Sequence, residues 1–369
     1  MDRFALESYL AQGVERMVRD MIRVAARDPK TSAFVLKFSA ECMKASKKRE
    51  RSNRNGSHVP PFLICSLTED CPLHCAGCYA RANHCHGSDE NNLSANEWLD
   101  VFNQAADCGI SFILLAGGEP LLRRDVVFSA ARCQNLFFPI FTNGTVIDDE
   151  YTELFDKHRN LFPVISIEGG KASTDGRRGS GVYDTIMDKM TALQKKRILF
   201  GASVTVTKAN MDEVLGEEFI SMLREKGCRA VFYVEYVPVD GRDELAPDEA
   251  ARASFDARLA ELRKDHNELL FVSFPGDEHS SGGCLSAGRG FFHINSHGGA
   301  EPCPFAPYSD SNVRDKSLTE IMESRLFAEL RELGVLESEH NGGCVLFEKR
   351  DFIRSLFPQH SGSEKTDRT

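Results

Sequence analysis

The chain has 369 residues, of which 41% are hydrophobic and 27% charged, the proportions of an ordinary globular protein. Its 55 acidic and 45 basic side chains leave a formal net charge of −10, which offers no basic surface for nucleic acid. No stretch approaches the roughly 20 consecutive apolar residues of a membrane span, and the N-terminus lacks the apolar core of a signal peptide, so we expect a cytoplasmic protein without a membrane span.

Twelve cysteines are the most informative feature of the composition. Disulfides are rare in a reducing cytosol, so clustered cysteines indicate metal or iron–sulfur ligation and isolated ones indicate burial. The cysteines predicted to be buried free thiols are Cys42, Cys65, Cys108, Cys133 and Cys228.

Residues 1–58 predict an N-terminal helical segment followed by a linker. Apolar residues recur at steps of three and four through residues 2–50, with a break at Asp28-Pro29, because proline disfavours helix in the residue before it. The polar run Lys47–Gly56 is interpreted as a solvated linker, since it is too short and too poor in aromatic residues for a nucleic-acid patch.

Residues 59–275 predict the main domain, because short apolar runs alternate there with amphipathic stretches. The predicted strands are Phe62–Leu67, Phe112–Ala116, Phe137–Thr142, Val164–Ile167, Gly201–Val206 and Val231–Val237. The helices between them include Ala95–Cys108, Asp149–Lys157, Tyr183–Lys195 and Glu217–Lys226. This alternation indicates an α/β fold, a partial (β/α)6 TIM-like barrel, with its chemistry at the C-terminal ends of the strands.

Residues 276–355 predict a small C-terminal domain with a different character. Its first part, residues 276–312, is rich in Gly, Ser, Pro, Cys and His, a composition that a metal or cofactor could organise. A short strand is expected within Phe291–Asn295 and an amphipathic helix over Leu318–Leu333. Residues 356–369 are predicted to be a flexible tail.

The first cysteine cluster directly follows the first predicted strand. Cys71, Cys75 and Cys78 have the spacing C-x3-C-x2-C, with Tyr79 next in the chain. Three close thiolates can hold three irons of a [4Fe–4S] cluster and leave the fourth iron open. Zinc is the alternative from spacing alone, with its fourth ligand supplied by His74, His84 or Cys85.

Further polar or glycine-containing stretches end the later strands. Gly117 and Gly118 would let the backbone approach a ligand closely, and the adjoining Glu119 could accept a cation. Each stretch also has an ordinary interpretation, as a turn, a solvated arginine or core packing. The residues singled out are Gly117, Gly118, Glu119, Pro120, Asn143, Ser166, Arg178, Thr205 and Tyr236.

This ordered set of motifs over residues 60–240 resembles the radical S-adenosylmethionine (SAM) superfamily. The resemblance implies that the open iron binds the amino and carboxylate groups of SAM, whose reductive cleavage yields a 5′-deoxyadenosyl radical that abstracts hydrogen from a substrate. It implies that Gly117–Pro120 contacts the methionine amino group and that Arg178 can bind its carboxylate. Asn143, Ser166, Thr205 and Tyr236 are expected near the cofactor on the same basis. Glu168 stands where one large branch has aspartate, which leaves its role open.

The C-terminal cysteines Cys284, Cys303 and Cys344 resemble the SPASM extension of such enzymes, or its shorter twitch form. The resemblance implies a second, auxiliary [4Fe–4S] cluster. A C-x2-C pair of the full extension is missing here, so three cysteines favour one cluster. Its fourth ligand could be His293, His297, another side chain or substrate, and the alternative is a zinc-bound or metal-free extension.

The predicted substrate is a small molecule, a cofactor precursor or a lipid-like compound. Peptide-modifying members often carry an N-terminal winged-helix domain, whose β-hairpin pattern is missing from residues 1–58. A peptide or protein substrate is the second reading, and an electron-transfer or sensing iron–sulfur or zinc protein is the alternative of a different class. An enzyme of the family would need an electron donor such as a flavodoxin or ferredoxin.

Overall fold

The computed structural model describes residues 29–83, 91–337 and 343–356. The predicted helix within residues 2–28, the tail after residue 356, and His84 and Cys85 lie outside the described residues.

A mostly parallel sheet positions everything else in the described part of the chain. Its strand order is β7-β6-β5-β4-β3-β2-β1-β8-β9, and only the β8–β9 pair is antiparallel. The strands are β1 Phe62–Ser66, β2 Phe112–Ala116, β3 Phe138–Thr142, β4 Leu161–Ser166, β5 Gly201–Val206, β6 Ala230–Glu235, β7 Leu270–Phe274, β8 His293–Ile294 and β9 Ala300–Glu301. No pairing joins β7 to β9 within the described ranges, so the predicted partial α/β barrel is confirmed.

Helices connect the strands and cover the outer face of the sheet. Up to β7 they are α1 Pro29–Arg54, α2 Tyr79–Asn83, α3 Ala95–Cys108, α4 Arg124–Arg132, α5 Asp149–Lys157, α6 Lys171–Arg178, α7 Val182–Lys195, α8 Met211–Val214, α9 Glu217–Glu225 and α10 Glu249–Asp265. After β9 they are α11 Leu318–Met322, α12 Arg325–Glu332, α13 Val345–Glu348 and α14 Arg350–Leu356.

The sheet extends beyond the predicted six strands. Strand β7 pairs in parallel with β6, and β8 pairs in parallel with β1. Strand β8 belongs to the predicted C-terminal domain, so that region continues the barrel sheet instead of packing as a separate body. The short strand expected within Phe291–Asn295 is confirmed as β8, whereas β7 and β9 were not among the predicted strands.

The predicted helix Leu318–Leu333 is divided into α11 and α12. The break lies at Ser324, whose hydroxyl accepts a hydrogen bond from the amide of Phe327 and so caps α12. Serine competes for backbone donors, which is why it begins a helix here instead of continuing one.

The predicted linker Lys47–Gly56 is wrong for most of its length, because α1 continues to Arg54. Lys48 donates to the carbonyl of Ala106 at 3.0 Å, and the buried Arg49 donates to that of Gly109 at 2.5 Å. These acceptors lie at the C-terminal end of α3, where helix carbonyls lack partners and positive charge is favourable. Arg49 is therefore part of the packing, whereas Lys47, Lys48, Arg51 and Arg54 are exposed along the helix.

Helix α1 closes the N-terminal end of the sheet with aromatic side chains. Phe38 is fully buried, and its ring centroid lies 5.5 Å from those of Phe34 and Phe112 and 5.6 Å from that of Phe137. Of the isolated cysteines, Cys42, Cys65, Cys133 and Cys228 are buried as predicted, and Cys108 is half-buried.

Among the described residues, no helix combines the length and apolar character needed to cross a bilayer.

Replacing Phe38 with Ala should lower the free energy of unfolding by about 3–5 kcal/mol, because a fully buried ring leaves a cavity. Urea unfolding followed by circular dichroism measures the change. Leu36→Ala on the same helix is the control, since Leu36 is 75% exposed and its loss should change stability by about 0.5 kcal/mol or less. Equal losses for the two variants would contradict the packing of α1 against the sheet.

Candidate active site

The first cysteine cluster lies in the loop between β1 and α2, at the C-terminal edge of the sheet. Cys71, Cys75 and Cys78 are half-buried, free of disulfides, and line one cavity of about 480 Å³. Within the described ranges, no three or more His, Cys, Asp or Glu side chains are grouped to hold a single ion. A [4Fe–4S] cluster makes a different demand, because each thiolate binds a different iron, and three free thiols facing one cavity suit it.

The glycine pair after β2 packs directly against the start of this loop. The amide of Gly118 donates to the carbonyl of Thr68, and that of Glu119 donates to Asp70, both at 2.7 Å. A Cβ on Gly118 would lie 2.2 Å from the Asp70 oxygen, so only glycine allows this approach. The backbone that leads to Cys71 is thus held against the end of β2.

Glu119, which was predicted to accept a ligand cation, is not among the residues that line the cavity, and its oxygens accept hydrogen bonds from the protein. It is fully buried, and its carboxylate accepts hydrogen bonds from the Thr142 hydroxyl at 2.8 Å, the Asn143 amide at 2.7 Å and the Leu121 amide at 3.0 Å. Burial raises the pKa of Glu119 to about 7, although the three hydrogen bonds by themselves would lower it. The side chain joins the ends of β2 and β3, and the neighbouring Pro120 is buried with it.

Asn143 connects the end of β3 to the first cysteine. The nitrogen of its side-chain amide lies 3.6 Å from the sulfur of Cys71. The oxygen of the same side-chain amide accepts a hydrogen bond from the backbone N–H of Thr145 at 2.8 Å. The amide orientation is therefore set by the turn, with the donor towards sulfur. Donors to cluster sulfurs tune iron–sulfur centres.

Arg178 at the end of α6 is held by a buried ion pair. Its guanidinium donates to one Glu168 oxygen at 2.8 and 2.5 Å, and a third nitrogen lies 3.9 Å from the sulfur of Cys75. Although burial opposes the charged form, Glu168 and Cys75 raise the pKa of Arg178 above its usual value. The predicted solvated arginine is excluded. In this structure its partner is Glu168, so binding of a methionine carboxylate would have to share the guanidinium.

Glu168, which stands where one branch of the family has aspartate, hydrogen-bonds to several parts of the site. Besides Arg178, it accepts from Arg177 at 2.7 Å and from the Thr205 amide at 3.1 Å. The carbonyl of Arg177 in turn accepts from the amide of Ala76, inside the cysteine loop, at 2.9 Å. One carboxylate thereby couples the ends of β4 and β5 to the loop.

Tyr236 supports the loop from the opposite side. A Cβ on Gly77 would lie 2.6 Å from its ring, so Gly77, with φ of +69°, lets the ring pack directly against the backbone of the cysteine loop. The Tyr236 hydroxyl hydrogen-bonds Asp240, and burial with this bond raises the pKa of Tyr236 to about 12.

Most of the predicted cofactor-binding residues meet at the cavity that the three cysteines line. Glu119 and Pro120 are the exceptions, since both are buried and neither is among the residues that line the cavity. The predicted residues that line it are Gly117, Gly118, Asn143, Ser166, Arg178, Thr205 and Tyr236. Sequence reasoning left Gly77 and Arg177 without a role, although both stand beside motif residues.

The three C-terminal cysteines also come together. Cys284, Cys303 and Cys344 line one small cavity with Glu278, a buried acid that sequence reasoning missed. Burial raises the pKa of Cys344 to about 12. Three free, desolvated thiols around one cavity suit an iron–sulfur cluster, which keeps thiolates out of water.

The two histidines considered as the fourth ligand of the auxiliary cluster, His293 and His297, contact other side chains. His293 is buried, with one ring nitrogen 2.7 Å from Glu301 and the other 2.7 Å from the Ser66 hydroxyl. His297 lies 3.4 Å from Glu69, and neither ring lines the cavity of the three cysteines. Both histidines come shortly before Cys303 in the sequence, but this nearness did not predict where their rings would point.

Two aromatic side chains lie between the two cysteine groups. The rings of Tyr79, next to Cys78, and Phe305, near Cys303, have centroids 5.1 Å apart. Phe305 lines both cavities. Phe305 is thus part of the wall of both cavities, and Tyr79 contacts it from the side of the first cysteine group.

Replacing Glu119 with Ala should destabilise the chain and reduce iron bound at Cys71, Cys75 and Cys78. Three buried donors lose their acceptor, at about 1–3 kcal/mol for each buried group left unpaired. Glu119→Gln keeps the shape and one acceptor, so it should lose less. Unfolding and iron per chain after anaerobic reconstitution measure both effects.

The control is Glu153→Ala, an exposed acid that pairs with Lys157, whose loss should leave stability and iron content close to those of the wild type. If Glu119→Ala bound as much iron as this control, the carboxylate would not position the loop.

Comparison with known proteins agrees with this geometry. Residues 65–237 match the sequence profile of the Radical SAM superfamily. The chain is similar to an AdoMet-dependent heme synthase of Methanosarcina barkeri, with 27% identity over 328 residues, 79% of this chain and 89% of that protein. It is also similar to a PqqA peptide cyclase of Rhizobium meliloti, with 28% identity over 289 residues, 73% of this chain and 76% of that protein.

Among solved structures, the fold resembles Streptococcus suis SuiB bound to its precursor peptide SuiA, with a TM-score of 0.66 and 18% identity. The match covers 85% of this chain and 76% of that one. At this identity the likeness concerns the fold. The profile match identifies residues 65–237 as a radical SAM domain, the kind of domain that uses a [4Fe–4S] cluster and SAM.

Proposed function

We propose that Cys71, Cys75 and Cys78 hold the catalytic cluster and that the enzyme abstracts hydrogen from a peptide or protein substrate. The observation that carries the catalytic part is the single cavity that all three cysteines share with residues from successive strand ends. When bound, the cluster supplies the electron that cleaves a carbon–sulfur bond of SAM to give a 5′-deoxyadenosyl radical.

The chain's own residues would hold and orient this chemistry. Gly117 and Gly118 leave the end of β2 without side chains, so the methionine part of SAM can approach the backbone there. Ser166, Thr205 and Tyr236 offer hydroxyl, backbone and aromatic surface to the ribose and adenine on the neighbouring strands. Asn143 and Arg178 place N–H donors beside cysteine sulfurs.

Cys284, Cys303 and Cys344 would hold one auxiliary [4Fe–4S] cluster. Their convergence on one desolvated cavity and the absence of disulfides among the described cysteines support this assignment. The aromatic contact between Tyr79 and Phe305 lies between the two groups of thiols, where it would exclude water from both. A flavodoxin or ferredoxin would supply the electron.

A peptide substrate, the second reading from sequence, is favoured over a small molecule by relatives that match across most of the chain. PqqA peptide cyclase is one of these, and its name identifies a peptide substrate. The sporulation killing factor maturation protein of Bacillus subtilis is 30% identical over 161 residues, 43% of this chain and 38% of that protein.

An apolar small molecule stays as a second candidate because of the depth of the cavity. Below the cysteine loop the cavity continues through the barrel towards α1, between phenylalanine rings. A planar or hydrophobic compound would suit this wall, and a heme synthase is among the relatives. The rings that line this lower part are Phe34, Phe62, Phe112, Phe137, Phe141, Phe162 and Phe232.

Replacing Cys71, Cys75 and Cys78 together with Ala should abolish formation of 5′-deoxyadenosine from SAM and spare the second iron signal. The reduced, reconstituted wild type should bind about four irons per cluster, and the variant about four irons fewer. Iron analysis and chromatography of the nucleoside measure this. Cys228→Ala, a buried cysteine outside both groups, is the control. Cleavage of SAM by the triple variant would refute the assignment.

Val272→Phe should distinguish the two substrate classes, because Val272 lines the lower cavity beside Phe232 and the larger ring would fill it. If the substrate is a peptide held near the cysteine loop, the larger side chain would not touch it. Peptide-dependent formation of 5′-deoxyadenosine should then stay within about twofold of the wild-type rate, a small change on a scale where 1.4 kcal/mol corresponds to about tenfold. If a small molecule occupies the lower cavity, turnover should fall by about tenfold or more on the same scale.

The matched control is Val272→Ile, a smaller increase in volume at the same position. Deuterium transfer from labelled substrate to 5′-deoxyadenosine identifies the substrate directly. Transfer from a small molecule with none from any peptide would contradict the peptide proposal.

A further inference from the structure

We propose that Glu278 supplies the fourth protein ligand of the auxiliary cluster, so that this cluster has no iron open to substrate. The inference rests on the auxiliary cluster proposed at Cys284, Cys303 and Cys344. It commits to an oxygen ligand, a carboxylate, where sequence reasoning considered histidine, another side chain or substrate.

Glu278 lies at the same cavity as the three cysteines. It belongs to the 3₁₀ turn Gly276–Ser281 that follows β7, and its amide donates to the carbonyl of Pro275 at 2.7 Å. The side chain is only 7% exposed and lines the cavity together with Cys284, Cys303 and Cys344. Its carboxylate is within hydrogen-bonding reach of the Cys284 thiol.

The carboxylate of Glu278 is weakly satisfied by the protein. The hydrogen bond described for it from the backbone comes from the amide of Leu285, at a long 3.3 Å. The nearby Arg289 directs its guanidinium to the carbonyl of Cys284 at 2.7 Å and to Glu337 at 3.3 Å. Burial of a carboxylate is costly when the nearby cation is engaged by other acceptors, and coordination of a metal is one of the ways proteins offset that cost.

Other acids around the site have strong partners. Glu235 also lines the small cavity, but it accepts from Arg252 at 2.8 and 2.6 Å. Asp277 accepts from Arg263 at 2.9 and 2.8 Å. Since these oxygens neutralise arginines, Glu278 is the acid at this cavity whose oxygens can turn to a metal.

A closed auxiliary cluster has a defined consequence for its role. With three thiolates and one carboxylate, all four irons have protein ligands, so the cluster would transfer electrons and would not bind substrate. A carboxylate is a harder ligand than a thiolate, so its replacement by cysteine should alter the magnetic signature of the cluster.

The experiment uses the full-length chain with Cys71, Cys75 and Cys78 replaced by Ala, so that only the auxiliary signal is observed. In this background, Glu278→Ala, Glu278→Cys and the control Glu235→Gln are reconstituted anaerobically. Iron per chain, the electron paramagnetic resonance spectrum of the reduced protein, and its response to added cyanide are measured.

With Glu278 intact, we expect about four irons and a spectrum that cyanide does not change, because no iron is open. Glu278→Ala should give a spectrum that responds to cyanide, or lose about one iron on mild oxidation to form a [3Fe–4S] cluster. Glu278→Cys should keep about four irons with shifted g values. Glu235→Gln should behave as the parent does.

The inference is overturned if the parent itself responds to cyanide, if Glu278→Cys has the parent's spectrum, or if Glu235→Gln reproduces the loss. Should Glu278→Ala fail to fold, Glu278→Cys decides. No iron in the parent background would instead refute the auxiliary cluster itself, so the two failures are distinguishable.

Discussion

The site depends on the parallel alignment of β1 to β6, which brings six strand ends to one edge. A parallel sheet makes every βα loop emerge on the same side, so residues far apart in the chain become neighbours. Glu119 and Glu168 then fasten these loops together. The Glu119 carboxylate joins the ends of β2 and β3, and the Glu168 carboxylate joins the ends of β4 and β5, each through hydrogen bonds. These bonds hold the loops at the sheet edge in fixed positions.

The cysteine loop itself has little secondary structure, so its shape comes from neighbours. Glycine at position 118 lets β2 approach from one side, and Tyr236 packs on Gly77 from another. The carbonyl of Arg177 holds the loop amide of Ala76. A preorganised loop places three thiols around one cavity before any metal binds, which lowers the cost of ordering them.

The C-terminal region continues this architecture. Strand β8 adds to the sheet beside β1, so the second cysteine group is anchored to the same strand that precedes the first. The contact between Tyr79 and Phe305 joins a residue next to Cys78 to a residue near Cys303. The relative position of the two proposed clusters is therefore set by the barrel and not by a flexible linker.

The sequence by itself determined the class of protein, the first six strands of the sheet and the motif residues that meet at the main cavity. Those features depend on local periodicity and on motifs that follow strand ends, which a single chain displays directly. The tertiary structure decided the partners of buried charge. Glu119 and Arg178 were both predicted to meet a ligand, yet their structural partners are protein groups from other strands. The role of Glu278, and the engagement of His293 with Ser66 and Glu301, likewise depend on long-range packing. Spacing along the chain cannot reveal such pairings. A buried charge needs a partner, and the fold can supply that partner from a distant part of the sequence.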